Sequence, residues 1–121
     1  MKLIIAGGRM FTETNLIVAY INMLYKTEMI KEPTHIISGM ANGADACGVS
    51  IANASNIELI EMPANWEGHG KRAGYLRNAE MALIGDVLIA AWDGNSRGTL
   101  NMIDEMLFLN KPVFILPYQE G

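Results

Sequence analysis

The segment 86-DVLIAAWDGNSRGTLNMIDEMLFL-109 changes character twice. Residues 86–92 are a nearly unbroken apolar run. A parallel strand covered on both faces has that composition, whereas a half-exposed strand alternates. Residues 93–98 then crowd Asp, Gly, Asn, Ser, Arg and Gly together. From Thr99 to Leu109 the spacing predicts a helix. Leu100, Ile103 and Leu107 are expected on one face, with Asn101, Asp104 and Glu105 on others. Asn110 and Pro112 end it. Strand, polar turn and helix in immediate succession form half of a βαβ unit.

The same grammar runs outward in both directions. Residues 2–6 read as a buried strand closed by glycines, and 34–38, 57–62 and 112–116 as further strands. A helix capped by Thr12 or Thr14 follows the first strand, carries Leu16, Ala19, Tyr20, Met23 and Leu24 at helical spacing, and fades near Glu32. Residues 43–54 form a small-residue helix stopped by Asn56. Residues 64–70 read as a polar loop containing Trp66. Residues 71–84 are helical, with Gly74 a weak spot, and 118–121 a tail. The order is β-α-β-α-β-α-β-α-β. Right-handed crossovers turn that order into a single α/β, doubly wound domain of about five parallel strands with helices on both faces.

Composition narrows the function classes. The chain has 121 residues, half of them hydrophobic, and a net charge of -4. That length suits one domain with one sizeable core. Net negative charge disfavours non-specific nucleic-acid binding. The single Cys47 permits no internal disulfide, fits a reducing cytoplasm, and reads as a small buried residue. His35 and His69 have no metal-ligand spacing around them, so no metal and no cofactor are expected. The apolar start, MKLIIAGGR, is too short for a membrane span or a signal core, so no membrane role is expected.

In a doubly wound sheet, ligands bind beyond the carboxyl ends of the strands. Three loops there are rich in glycine, hydroxyl and Arg, each just before a helix: 6-AGGRMFTET-14, 38-SGMANGADA-46 and 93-DGNSRGT-99. Glycine lets the backbone approach a ligand, and a helix start supplies unpaired N–H groups and partial positive charge. Together they make a phosphate cradle. The candidates are Gly7, Gly8 and Arg9; Ser38, Gly39, Gly43, Ala44 and Asp45; and Ser96, Arg97, Gly98 and Thr99. One such loop is an ordinary turn; three in register favour a phosphate-bearing ligand. Neither GxGxxG nor GxxxxGK[ST] occurs, so a conventional dinucleotide or P-loop site is not supported.

A fourth candidate is 66-WEGHGKRAGYLRNAEM-81. Lys71, Gly74, Arg77 and Asn78 fall near one helical face. Arg77, beside Asn78, can reach a phosphate with its fork of donors, whereas Arg72 reads as solvated surface. Trp66 either stacks on a base or plugs the edge of the core. Asp45 either complements the helix dipole or accepts bonds from a ribose, and Asp93 poses the same choice.

Taken together, AGGRMF, SGMANGAD, the 66–81 segment and SRGT resemble the Rossmann-like SLOG superfamily (DNA-processing Smf/DprA and lonely-guy proteins), and within it the YspA-type, cpYpsA-related branch. The resemblance runs from Ile4 to about Pro117. It implies a pocket for a nucleotide or nucleotide derivative. Lonely-guy relatives hydrolyse the N-glycosidic bond of nucleoside 5′-monophosphates with a PGGxGTxxE-like motif and an RKxxM-like Arg. Arg77, in 77-RNAEM-81, matches that Arg, and Gly98 and Thr99 match the GT. The Glu position is Met102, which can neither move a proton nor stabilise an oxocarbenium ion as a carboxylate does. Asp104 lies about 7.5 Å along the helix from Thr99 and is no matched substitute.

The expectation is therefore a cytoplasmic sensor or sequestering module for a nucleotide-like small molecule, in a bacterial cell or as a phage protein in its host. The alternative is a nucleotide N-glycosidase in which Arg77 acts with Asp45, Asp93 or Glu80 in place of the missing Glu. DNA binding is a third, disfavoured class. The resemblance also implies a homo-oligomer. Met23, Met29, Met81, Met102 and Met106 either supply an adaptable apolar face for it or, for most of them, fill the core.

Overall fold

The computed structural model describes residues 1–119. Five parallel strands, β1 (Lys2–Gly7), β2 (His35–Ser38), β3 (Glu58–Glu61), β4 (Val87–Trp92) and β5 (Val113–Pro117), form one sheet in the order β3-β2-β1-β4-β5. The helices are α1 (Thr14–Lys26), α2 (Ala44–Ser55), the short α3 (Trp66–His69), α4 (Ala73–Ile84) and α5 (Arg97–Phe108). The Rossmann-like, doubly wound α/β expectation holds.

Alternation along the central strands assigns each helix to a face. Leu3 and Ile5 of β1, with Val87, Ile89 and Ala91 of β4, pack against Ile17 and Leu24 of α1 and Cys47, Ile51 and Ala52 of α2. Ile4 and Ala6, with Leu88 and Ala90, face Met81 and Ala82 of α4 and Met102, Ile103 and Met106 of α5. β1 and β4 are buried on both faces, which is why they read as continuous apolar runs. Cys47 is a buried core residue. The chain winds outward from β1 through β3, then crosses back to begin β4 on the other side of β1. That reversal opens a crevice between the β1 and β4 loops.

Several sequence expectations are corrected. No threonine hydroxyl caps α1: Glu13 precedes the helix without a side-chain cap bond, and Thr12 offers its carbonyl to the Thr14 N–H at 3.0 Å. The helix stops at Lys26, not near Glu32. Thr27 follows it, donating its hydroxyl to the Met23 carbonyl at 2.8 Å. Residues 66–69 are helical because Asn65 caps them, its Oδ1 accepting the Gly68 N–H at 3.0 Å. α5 turns Thr99, Met102, Ile103 and Met106 inward, leaving Leu100 and Leu107 exposed. Flexible methionines pack closely on small Ala6 and Ala90, a fit branched leucines achieve less readily. Met81, Met102 and Met106 fill the core, while Met23 and Met29 are exposed. Asn56 does stop α2, in the left-handed conformation. Of the expected tail, Glu120 and Gly121 lie outside the described residues.

One cation closes α4. Lys111 Nζ donates to the carbonyls of Ala82, Leu83 and Gly85 at 2.7, 3.1 and 2.8 Å. A helix C-terminus carries orphan carbonyls and partial negative charge, so the ammonium satisfies both. Lys111→Met is expected to lower stability by about 1–2 kcal/mol, read as a shift of the urea midpoint at an unchanged m-value. An unchanged midpoint would show that water serves these carbonyls equally well.

Candidate functional site

A cleft of about 580 Å³ lies at the carboxyl end of the sheet, over the β1/β4 reversal. Its wall draws on every loop at that end. Gly7, Gly8 and Arg9 come from the β1 loop, Ala41 and Asp45 from the β2 loop and the start of α2. Trp66 and Lys71 come from the β3 loop, Arg77 and Asn78 from α4, and Asp93, Asn95, Ser96, Gly98 and Thr99 from the β4 loop and the start of α5. Its floor is apolar: Ala6, Met81 and Met102.

The β1 and β2 loops are stitched together by one carbonyl. Gly8 O accepts the Phe11 N–H at 3.2 Å and the Ala44 N–H, the first of α2, at 3.1 Å. Gly43 precedes that helix at φ +79°, and a side chain there would press into Gly8 and Arg9, so only glycine serves. Ser38 is fully buried; its hydroxyl donates to the Asp45 carbonyl at 2.9 Å and accepts the Met40 N–H at 3.1 Å. Ser38, Gly39, Gly43 and Ala44 thus lie behind the wall, and Arg97 is exposed outside it. These residues shape the site or flank it without facing the cleft.

Arg77 ties α4 to the β2 loop. Its Nη1 donates to the Gly39 carbonyl at 2.6 Å and its Nε to Asn78 Oδ1 at 3.1 Å. A guanidinium has five N–H donors, so it keeps donors for a ligand. Asn78 is a brace: Nδ2 donates to the Gly98 carbonyl at 3.2 Å and to Asn101 Oδ1 at 2.9 Å, fixing α4 against the start of α5. Sequence spacing placed Arg77 and Asn78 side by side, and only the fold shows them working in opposite directions across the cleft.

The β4 loop is held from within. Asp93 Oδ1 accepts the N–H groups of Asn95 and Ser96 at 2.8 and 2.9 Å. Trp92 Nε1 donates to the Ser96 carbonyl at 3.0 Å. Ser96 caps α5, its hydroxyl oxygen 3.4 Å from the Thr99 amide nitrogen and 3.1 Å from Thr99 Oγ1. Space is open in front of Gly98, where an added methyl meets nothing within 4 Å.

Trp66 is not a core plug. It is 51% exposed and stands on the rim, passing 3.4 Å from where a methyl on Gly74 would sit. Tyr75 and Tyr118 also line the cleft, and neither was among the sequence candidates. Tyr118 stacks edge-on against Phe11, with centroids 5.1 Å apart, and its hydroxyl lies over Gly8. Its place after the last strand gave no sign of this, although any residue following a strand at this end borders the crevice. Arg72 and Glu80 are exposed and outside the wall, and Asp104 is exposed on the far side of α5.

Asp45 is the strained charge of the site. Burial raises its carboxyl pKa above the ordinary value; the Ala41 N–H bond to Oδ2 (3.2 Å) and the charges of Arg77 and Arg9 oppose that rise. Burial likewise lowers the Arg77 pKa, against the pull of Asp45. A carboxyl whose folded pKa exceeds its unfolded one stabilises the fold only while protonated. That contribution is complete below about pH 3.9 and is lost as pH rises through the folded value. Once ionised, Asp45 is a cost to the fold. Asp45→Asn is therefore expected to equal or exceed the parent in stability at pH 7, with the difference shrinking towards pH 4, in urea unfolding across that range. A variant less stable at pH 7 would mean that Arg77 outweighs burial.

A family model described as the YspA, cpYpsA-related SLOG family matches residues 1–69. The "Gene 61 protein" of Mycobacterium phage D29 is 37% identical over 84 residues, which cover 64% of this chain and 67% of that protein. The family match takes in the β1 and β2 loops; Arg77 and the β4 loop lie beyond it.

Proposed function

The chain belongs to the YspA, cpYpsA-related SLOG family, and we propose that it binds a nucleotide or nucleotide-derived small molecule in this cleft, as a sensor or sequestering module. The observation that carries the reading is convergence: Gly8 and Arg9 of the β1 loop, Arg77 of α4 and the capped start of α5 are remote in sequence and line one cleft. The phosphate sits at the start of α5. Ser96 and Thr99 hydroxyls and the Gly98 amide meet it there, with charge-assisted bonds from Arg9 or Arg77. The Thr99 amide already serves the Ser96 cap, which leaves the Gly98 amide as the backbone donor. Asp45 flanks the ribose side, with Gly39 and Gly43 shaping the loop behind it.

Met102 supports binding over turnover. It is 1% exposed beneath the cleft, and a thioether neither gives nor takes a proton at the glycosidic bond. The hydrolase reading draws on one observation, the raised carboxyl of Asp45 close to Arg77. A carboxyl whose pKa is raised by burial holds its proton more firmly, which suits a general acid for a departing base. Chromatography for free base separates the two readings: release that disappears in Asp45→Asn would favour the hydrolase.

The ligand comes from the cytoplasmic pool of a bacterial cell or of a phage-infected host. Among the described residues no helix is long and apolar enough to cross a membrane. The exposed Leu100, Leu107 and Phe108 of α5 give a homo-oligomer an apolar face.

Calorimetry with nucleoside monophosphates is expected to show binding that weakens as salt rises. Arg77→Gln is expected to cost about 2 kcal/mol, roughly 30-fold in affinity. Arg9→Gln, at an exposed position, is expected to cost less and to flatten the salt dependence. No binding by the folded parent to any nucleotide of a broad panel would sink the proposal.

A further inference from the structure

Two aromatic rings stand on the rim of the cleft instead of in the core. Trp66 is 51% exposed and Tyr75 48% exposed, and both line the cavity. Tryptophan seldom shows half its surface to water without a use for it, because its ring carries the largest apolar area of any side chain. Nor is the placement an accident of a loose loop. Asn65 starts α3 with two bonds, Oδ1 to the Gly68 N–H and the backbone carbonyl to the His69 N–H, both 3.0 Å. That makes Trp66 the first residue of a braced turn. Gly74 then offers α4 without a side chain where the ring passes. The other large exposed apolar groups, such as Leu107 and Phe108, lie outside the cleft.

We infer that the Trp66–Tyr75 rim is a stacking site for a planar aromatic ring of the nucleobase class. It rests on the functional reading above and deepens it. The ligand lies with its anionic end at the start of α5 and its ring at the α3–α4 rim. Stacking on a π face tolerates any base, so the rim selects for the presence of a base more than for its identity. Lys71, in the turn that follows α3, lies on the same wall and is within the reach of a flexible side chain for a polar edge of that ring.

The test compares adenosine, guanosine, cytidine and uridine 5′-monophosphates with ribose 5-phosphate, which lacks the base, on the full chain and on Trp66→Ala and Trp66→Phe. Calorimetry on the parent is expected to favour the best nucleotide over ribose 5-phosphate by about 10-fold or more. Trp66→Ala is expected to abolish that preference without weakening ribose 5-phosphate, and Trp66→Phe to keep most of it. The nucleotide is expected to change tryptophan emission more than ribose 5-phosphate does in the parent, and in Trp66→Phe, which keeps only Trp92 beside Ser96, to change it no more than ribose 5-phosphate does. If Trp66→Ala keeps the preference, or the parent shows none, the stacking site is wrong while anion binding stands. If the parent binds neither compound, the functional reading falls and takes this inference with it.

Discussion

The carboxyl end of the sheet depends on the close approach of β1 to β4. The two strands pair in register from Leu3 with Val87 to Gly7 with Ala91. The Gly8 N–H carries the ladder one step further, to the Ala91 carbonyl at 3.0 Å. A side chain on Gly7 would enter the Ala91 backbone, so glycine is needed for the strands to stay paired so near their ends. Beyond this point the β1 chain departs towards α1 and the β4 chain towards α5, on opposite faces of the sheet. The crevice is the space that this divergence leaves, as expected where strand order reverses. Gly8 then ties the edge of that crevice to the α2 start through its carbonyl.

The cleft wall is held by bonds inside the protein, and this shapes what it can do. Arg77 grips the β2 loop, Asn78 grips the start of α5, Asp93 folds the β4 loop and Ser96 caps α5. A site arranged in this way before the ligand arrives loses less entropy on binding. The same economy limits the phosphate site we propose at the start of α5, because the Asn95, Ser96 and Thr99 amides already have partners. Charge on Arg9 and Arg77 must supply what those amides do not. The floor under this polar wall is apolar, with Met102 buried in it and no carboxylate, and this underlies our proposal of binding over bond cleavage.

Much of the fold was legible because burial writes itself into sequence period. The continuous apolar runs at β1 and β4, and the glycine-rich turns after them, sufficed to place five parallel strands in a doubly wound sheet. The face of α5 was not legible. Leu100, Ile103 and Leu107 and the set Thr99, Met102, Ile103 and Met106 both have helical spacing, and only packing against Ala6 and Ala90 selects the second. α3 was hidden because its cap, Asn65, precedes just four helical residues, too few to show a period. Residue types pointed to loops that border the cleft. They did not separate Gly7, Gly8 and Gly98, which face the cleft, from Ser38, Gly43 and Ala44, which stand behind it. That distinction depends on contacts between loops remote in sequence, as does the arrival of Tyr118 over Gly8.

The central claim is that the crevice over the β1/β4 divergence is the ligand site. An amide NMR titration with a nucleoside 5′-monophosphate tests it most directly. The account predicts that the perturbed signals cluster at Gly7–Arg9, at Gly98–Thr99 and at the Arg77 side chain, and that the far end of the sheet stays still. A second groove of about 330 Å³, between α1 and α2 and lined by Val18, Ile21, Tyr25 and Ile51, provides the internal control. Shifts confined to that groove, or none anywhere at saturating nucleotide, would contradict the account.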